Sequence, residues 1–164
     1  MKHYKVLFAD LDGTLIDTIS GNTFPKGIWD FRFKFDVLDK LKQLNPKRIY
    51  IVTNQGGVSC GFIKEFNLKT KLNYISKAIE EYTGISTRYD YCISNDKNDK
   101  NRKPNTGMLE FFHEEYCDAI NCSKSEILMI GDASGKEGQF SDSDKRCAKN
   151  YGIDYLDVND FINI

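Results

Sequence analysis

Two aspartates that follow a short apolar run are the first candidates for chemistry. Val6–Ala9 is apolar at every position and leads into Asp10 and Asp12, within the segment DLDGT at residues 10–14. Carboxylates this close repel one another unless a cation lies between them. The pair suits one carboxylate acting as nucleophile and metal ligand and the other as general acid/base. A helix cap or an Asx turn is the alternative for an Asp-Gly pair taken alone.

A third aspartate, Asp132, lies in the segment MIGDASGKEG, residues 129–138, which has the glycines and lysine of a phosphate-binding loop. A P-loop requires four residues between its first Gly and its Gly-Lys pair, followed by Ser or Thr. Here three residues separate Gly131 from Gly135-Lys136, and Glu137 follows. We therefore reject the P-loop, expect no kinase activity, and treat Asp132 as a metal-ligand candidate.

Polar side chains follow two further strand-like segments. Residues 48–53 lead into Thr53 and Asn54, where a hydroxyl and backbone N–H groups can bind a phosphoryl oxygen. For this segment alone, capping of the next helix is the better interpretation. Arg102 and Lys103 precede Pro104, and Lys103 can project toward a phosphate at the start of the following helix. Taken alone, it is only a basic residue in a polar loop.

Apolar runs alternate with helical patterns along the chain, which predicts a parallel sheet with helical crossovers. Strands are predicted at residues 6–9, 48–53, 89–94, 127–130 and 153–156. Helical spacing covers residues 37–44 and 68–82, and a third helix is predicted to begin after Pro104-Asn105-Thr106. The predicted fold class is α/β, a three-layer, doubly wound, Rossmann-like parallel sheet.

The polar candidates all follow successive strands, so they share the carboxyl edge of the sheet, where open α/β sheets bind ligands. Carboxylates, a hydroxyl and a lysine at one edge predict a magnesium and phosphate site. Two segments break the alternation: the irregular residues 13–33 and the polar, charged loop at residues 95–103. Neither is long enough to be a lid domain, so we expect a single domain over residues 1–164 with no large cap.

Composition limits the partners and the compartment. The 164 residues carry 23 basic and 24 acidic side chains, a net charge of −1. This balance argues against long non-specific contacts to duplex DNA and permits a local grip on a few phosphates. Five cysteines without a C-x-x-C pair fit reduced, mostly buried thiols better than a zinc site or a disulfide framework. No signal peptide or membrane-length apolar stretch is found, so a cytoplasmic location, or a nuclear one in a eukaryote, is expected.

The ordered motifs DLDGT, Thr53-Asn54, Lys103-Pro104 and Gly131-Asp132 resemble the four motifs of the haloacid dehalogenase (HAD) superfamily of phosphohydrolases. The chain is further similar to the phosphatase domain of polynucleotide kinase 3′-phosphatase and to stand-alone DNA 3′-phosphatases. That likeness is carried by residues 12–16, Thr18, Ser20-Gly21, Phe24-Pro25, residues 52–55, residues 102–104, Gly107-Met108, residues 131–133, Gly135, Phe140-Ser141, Asp144, Ala148 and residues 150–153. The resemblance spans nearly the whole chain.

The resemblance implies a magnesium-dependent phosphomonoesterase that works in two steps. Asp10 would attack phosphorus and form an aspartyl-phosphate. Asp12 would protonate the leaving oxygen and then deprotonate the water that hydrolyses the intermediate. Mg²⁺ would be held by Asp10, the backbone carbonyl of Asp12 and Asp132, with Asp144 on a metal-bound water.

The same resemblance implies the substrate contacts. Thr53 and Lys103 would hold the phosphoryl oxygens, and Asn54 would belong to the same substrate-binding edge. Phe24 and Arg102 correspond to positions along the path of single-stranded DNA in that family. A core residue that anchors its loop is the alternative for Phe24. The expected substrate is a DNA 3′ end, single-stranded or nicked, held by weak, end-directed contacts.

Two departures from the family and two rival hypotheses remain. Ser59-Cys60 stand where the family often has a basic residue, and Gln139 stands where it usually has Asp. The first departure weakens DNA binding, and the second weakens the acidic side of the metal site.

One rival hypothesis is a small-molecule HAD phosphatase acting on a sugar phosphate or histidinol phosphate, and the other is a non-catalytic module that binds phosphorylated ends. The choice between DNA and RNA, and any kinase or ligase partner chain, stay open.

Overall fold

In the computed structural model, which describes residues 2–164 without the side chains of residues 117 and 118, strands and helices alternate along the chain. The strands are β1 (Val6–Ala9), β2 (Ile16–Asp17), β3 (Arg32–Phe33), β4 (Arg48–Asn54), β5 (Thr87–Cys92), β6 (Ile127–Gly131) and β7 (Asp154–Asp157). The α-helices are α1 (Phe35–Leu44), α2 (Glu65–Thr83), α3 (Gly107–Phe112), α4 (Ser143–Tyr151) and α5 (Val158–Phe161). Short π- and 3₁₀-helical turns cover His113–Cys117, Asp118–Ile120 and Lys124–Glu126.

Five of these strands form one parallel sheet in the order β5-β4-β1-β6-β7. β1 lies at its centre, where Val6 pairs with Arg48 on one side and with Ile127 on the other. A helix follows each strand before the next one begins, so all five strands end at the same edge of the sheet. This arrangement confirms the predicted α/β, doubly wound fold class.

The apolar run of β1 is buried because both faces of the sheet are covered. Leu7 and Ala9 pack on the face that α1, α2 and α5 cover, whereas Val6 and Phe8 pack on the face that α3 and α4 cover. None of these four side chains is exposed. A strand that is apolar at consecutive positions therefore marks the middle layer of a three-layer fold.

The structure shifts the predicted ends of four strands, and β4 and β6 each end one residue later than predicted, at Asn54 and Gly131. β5 ends at Cys92 rather than at Ser94, because its neighbour β4 ends opposite Cys92, at Asn54. Just beyond that pair the Cys92 carbonyl accepts the N–H of Gln55 at 2.7 Å, and the ladder stops. β7 lies one residue later than predicted, at Asp154–Asp157.

Residues 13–33, predicted to be irregular, contain a short antiparallel hairpin. Ile16 of β2 pairs with Phe33 of β3, and Asp17 pairs with Arg32. Ile16 is buried and joins the main hydrophobic core, which anchors the hairpin at the carboxyl edge of the sheet. Within residues 2–164 no large cap domain covers that edge.

Two expectations from composition concern membranes and thiols. Among the described helices, none combines the length and the apolar character needed to cross a membrane. Cys92, Cys122 and Cys147 are buried free thiols, and Cys60 is an exposed one. These four agree with the prediction of reduced, mostly buried thiols, while the side chain of Cys117 lies outside the description.

Candidate active site

The candidate site lies where β1, β4 and β6 end, and a buried lysine joins its parts. The Nζ of Lys103 donates to Oδ1 of Asp10 and to Oδ1 of Asp144, each at 2.7 Å. Asp10 directly follows β1, and Asp144 lies in the first turn of α4. Lys103 is only 3% exposed, so this double ion pair is shielded from water.

Three carboxylates converge beside this lysine. One oxygen each from Asp10, Asp132 and Asp144 lies within 4.8 Å of the other two. Two glycines make room for them: a Cβ on Gly13 would lie 2.1 Å from Oδ2 of Asp132, and one on Gly131 would lie 2.3 Å from Oδ2 of Asp144. The side chain of Asp12 is exposed and is not part of this cluster.

The electrostatics of the cluster favour an added cation. Burial raises the pKa of Asp10 well above its usual value, and the charges of Asp144 and Asp132 add to the rise while Lys103 opposes it. Burial, followed by the charge of Asp144, raises the pKa of Asp132 to about 6. Burial would lower the pKa of Lys103, but attraction to Asp10 and Asp144 raises it above its usual value. One ammonium thus faces three carboxylates, a donor set that fits Mg²⁺, which prefers oxygen ligands.

Glycine at position 131 is expected to be required for metal binding. In Gly131→Ala the new Cβ would lie 2.7 Å from both Cβ and Cγ of Asp144, so that carboxylate must move. We expect the Mg²⁺ concentration for half-maximal activity to rise by about tenfold or more, as when metal ligands lose their positioning. Gly27→Ala is the matched control, because its Cβ meets no atom within 4 Å. An unchanged Mg²⁺ requirement in Gly131→Ala would contradict the placement of Asp144 in the metal site.

Gln55 connects Asp12, the candidate general acid/base, to the hydroxyl of Thr53, the candidate phosphate-binding group. Its Nε2 donates to Oδ2 of Asp12 at 2.8 Å and to Oγ1 of Thr53 at 2.9 Å. Because Thr53 accepts this bond, its own O–H hydrogen is left for another acceptor, such as a phosphoryl oxygen. Gln55 belongs to the VTNQ segment that carries the family resemblance, but the sequence alone suggested no role for its side chain.

We expect Gln55→Leu to lower kcat by about tenfold, a fraction of what a positioned acid/base contributes in full. Leu keeps the approximate volume of Gln but removes the amide that orients Asp12. Gln43→Leu, an equally conservative change at an exposed position of α1, serves as the control. The measurement is steady-state hydrolysis of an aryl phosphate, and a kcat within twofold of the parent enzyme would exclude the positioning role.

Asn54, predicted to bind substrate, has both polar side-chain atoms engaged by Lys103. Its Nδ2 donates to the Lys103 carbonyl at 3.0 Å, and its Oδ1 accepts the Lys103 N–H at 2.9 Å. These contacts fix the backbone of the lysine on which the double ion pair depends. They favour a positioning role for Asn54 over a direct contact with substrate.

The two residues assigned to a nucleic-acid path lie in different surroundings. Phe24 is 78% exposed, so the alternative of a buried loop anchor is wrong. Arg102 is half-buried and donates to the Ser94 carbonyl at 3.0 Å, which fastens the loop after β5. The third helix begins at Gly107, directly after Pro104-Asn105-Thr106 as predicted, and Lys103 donates to Asp10 rather than projecting toward that helix start.

Four side chains outside the cluster hold the loop between β6 and α4. Gln139 accepts from the Ser134 N–H at 2.8 Å and donates to Oδ2 of Asp157 at 2.8 Å. Ser134 donates to the same oxygen at 2.6 Å, and Tyr155 donates to the Gly131 carbonyl at 3.0 Å. Burial opposes ionisation of Asp157, yet these hydrogen bonds lower its pKa below the usual value. Gln139 therefore holds this loop, and it does not belong to the cluster of Asp10, Asp132 and Asp144.

The fold has a close counterpart among solved structures. D,D-heptose 1,7-bisphosphate phosphatase from B. bronchiseptica, solved with magnesium and phosphate, matches with a TM-score of 0.70 at 20% identity. The match covers 94% of this chain and 79% of that one. The chain therefore has the α/β fold of HAD-like phosphatases.

Sequence comparison identifies the family to which the chain belongs. A model of the polynucleotide kinase 3 phosphatase family matches residues 5–161, and the chain belongs to this family. The bifunctional polynucleotide phosphatase/kinase of Schizosaccharomyces pombe is 32% identical over 94% of this chain and 36% of its own length. The polynucleotide 3′-phosphatase of Saccharomyces cerevisiae is 27% identical over 89% of this chain and 82% of its own. The chain is accordingly a phosphomonoesterase.

Proposed function

We propose that the chain is a magnesium-dependent polynucleotide 3′-phosphatase that removes 3′-phosphates from DNA ends through an aspartyl-phosphate. The observation that carries the proposal is the buried Lys103 bridging Asp10 and Asp144 beside Asp132. It occurs in a chain whose family model, polynucleotide kinase 3 phosphatase, extends over residues 5–161. Removal of a terminal phosphate leaves a 3′-hydroxyl, the group that polymerases and ligases use in DNA repair.

In the first step, a carboxylate oxygen of Asp10 forms a bond to phosphorus while the bond from phosphorus to the sugar 3′-oxygen breaks. The carboxyl group of Asp12, held by Gln55, gives its proton to that leaving oxygen. Thr53 and Lys103 hold the phosphoryl oxygens and offset their charge.

In the second step, Asp12 takes a proton from a water molecule whose oxygen attacks the phosphorus of the aspartyl-phosphate. The bond to the Asp10 oxygen breaks, and inorganic phosphate leaves. Asp10, Asp132, Asp144 and the backbone carbonyl of Asp12 would hold Mg²⁺. When bound, the ion screens the carboxylates from the phosphate and stabilises the charge that develops during transfer.

An open cleft supports a polymer end as the substrate. No large cap covers the carboxyl edge within residues 2–164, and Phe24 is exposed in the loop between β2 and β3. An exposed aromatic ring provides a surface on which a nucleobase can stack, worth about 1–3 kcal/mol per base.

Phe24→Ala is expected to raise KM for a 3′-phosphorylated oligonucleotide by about fivefold or more, given that stacking energy. KM for a small alkyl phosphate should stay within twofold, since it has no aromatic ring to stack. Phe111→Ala, another exposed phenylalanine but on α3, is the control. Equal changes in KM for both substrates would show that Phe24 is only structural.

The substrate class is tested with a panel of phosphate esters under Mg²⁺. It compares kcat/KM for an oligonucleotide 3′-phosphate, the matching 5′-phosphate, D-glycero-D-manno-heptose 1,7-bisphosphate and histidinol phosphate. We expect the 3′-phosphate to be preferred by about 100-fold or more, as a difference of nearly 3 kcal/mol in transition-state binding requires. The likeness to the heptose bisphosphate phosphatase makes a sugar phosphate the second candidate, and preference for it would overturn the polynucleotide assignment.

A further inference from the structure

The loop before Lys103 is built from a three-residue repeat. Residues 95–103 read Asn-Asp-Lys, Asn-Asp-Lys, Asn-Arg-Lys, so Lys97, Lys100 and Lys103 recur at every third position. The last of them is the lysine of the phosphoryl site. Lys97 and Lys100 are exposed and have no part in the mechanism described above.

The first two repeats fold in the same way. Oδ1 of Asp96 accepts the N–H of Asn98 at 2.9 Å, and Oδ1 of Asp99 accepts the N–H of Asn101 at 2.8 Å. The N–H of Asp99 donates to the Asp96 carbonyl at 3.1 Å, and that of Arg102 donates to the Asp99 carbonyl at 3.0 Å. The two repeats therefore form successive turns of the same kind, each closed by its own aspartate. Both aspartates are thereby used by the loop itself.

The two lysines line one open cavity of about 430 Å³. Its lining also includes residues that come directly after Lys103 in the chain: Pro104, Asn105, Thr106 and Gly107. Glu110, the one carboxylate in the lining, accepts the hydroxyl of Thr106 at 3.2 Å. Among the described residues, Lys97 and Lys100 form no ion pair with any carboxylate. Two unpaired ammonium groups in a polar cavity form a site for anionic oxygens.

We propose that Lys97 and Lys100 form a subsite for the phosphodiester groups of the strand that ends in the 3′-phosphate. The inference rests on the proposed function and names the part of the chain that holds the polymer. A nearly neutral protein can hold a polyanion locally in this way, because both cations line the same cavity. Each lysine that contacts a single strand adds about 0.7 to the salt dependence of binding.

The test compares K97Q/K100Q with K69Q/K77Q, which removes the same charge from exposed positions of α2, on the opposite face of the sheet. The substrates are a single-stranded DNA ten-mer with a 3′-phosphate and thymidine 3′-monophosphate, measured from 50 to 200 mM salt. We expect K97Q/K100Q to lower kcat/KM for the ten-mer by about tenfold at 50 mM salt and to reduce its salt slope by about 1.4. Activity on the mononucleotide should stay within twofold, which also shows that the variant folds.

Two results would overturn the subsite. A ten-mer kcat/KM and salt slope equal to those of K69Q/K77Q would remove the role of the lysines while leaving the proposed function standing. A parent enzyme that ignores the ten-mer and hydrolyses only small esters would overturn the proposed function, and the subsite with it.

Discussion

Replacing Asp10 with Asn is expected to lower kcat by at least about 10⁴-fold, a loss typical of removing a catalytic nucleophile. An amide has no carboxylate oxygen with which to form an acyl phosphate. The fold should persist, because Asn has the same size and Lys103 keeps its second partner, Asp144, at 2.7 Å.

We also expect Asp10→Asn to change the thermal stability of the protein in a definite direction. Burial raises the pKa of Asp10 in the folded state, so the folded protein binds the proton more tightly than the unfolded chain does. Ionisation of Asp10 therefore lowers the free energy of unfolding as pH rises above the pKa that Asp10 has in the unfolded chain. This loss of stability is present at pH 7 without metal. We expect the Tm of Asp10→Asn in EDTA to equal or exceed that of the parent enzyme. Turnover within tenfold of the parent would contradict the nucleophile assignment.

Lys103→Met is expected to cause the second large loss of activity. Lys103 is 3% exposed and is the cation that faces both Asp10 and Asp144. Removing one member of a buried ion pair leaves a charge without its partner and typically costs about 3–5 kcal/mol. We expect kcat/KM to fall by about 10³-fold, because a bound phosphoryl group also loses its ammonium.

Thermal unfolding separates the two roles of Lys103. In EDTA the Tm of Lys103→Met should fall by about 6 °C or more, from a loss of about 3 kcal/mol in a chain of this size. Mg²⁺ should reverse part of that decrease in Tm, since it supplies a cation to the same carboxylates. Lys145→Met removes an exposed lysine next to Asp144 on α4 and should leave both values unchanged. A Tm in EDTA equal to that of the control would show that the ion pair does not stabilise the fold.

The sequence was sufficient to predict the sheet and the edge at which the site lies. Strands buried on both faces, such as β1, are apolar at every position, and polar side chains directly after them must lie at the carboxyl edge. The grouping of Asp10 and Asp132 follows from this rule, because each comes directly after its strand. Lys103 lies well after β5, at the end of a polar loop, so strand position alone did not place its side chain between Asp10 and Asp144.

The contacts that position those residues could not be predicted. Asn54 bonds Lys103, 49 residues away, and Gln55 bonds Asp12, 43 residues away. Such pairs depend on how two loops approach each other, and amide side chains carry no periodic signal that reveals their partners. The same holds for Gln139, which differs from the family at its position and nonetheless serves the loop through Asp157.

The hairpin of residues 13–33 shows the same limit. Its strands have only two residues each, too short for a period-two pattern to be recognised. The exposure of Phe24 follows from where that hairpin holds its loop, which composition does not reveal. The residues around Phe24 are compatible with a core role and with a surface role, and the fold places the side chain at the surface.

The proposed activity is removal of phosphate from the 3′ end of a polynucleotide. The most direct test uses one single-stranded DNA that carries a phosphate at both ends, incubated with the enzyme and Mg²⁺. Mass spectrometry counts the phosphates lost, and extension by a polymerase reports a free 3′-hydroxyl. We predict the loss of one phosphate per strand together with full extension, and neither with Asp10→Asn. Loss of the 5′-phosphate, or an intact strand in a preparation that hydrolyses heptose bisphosphate, would contradict the account.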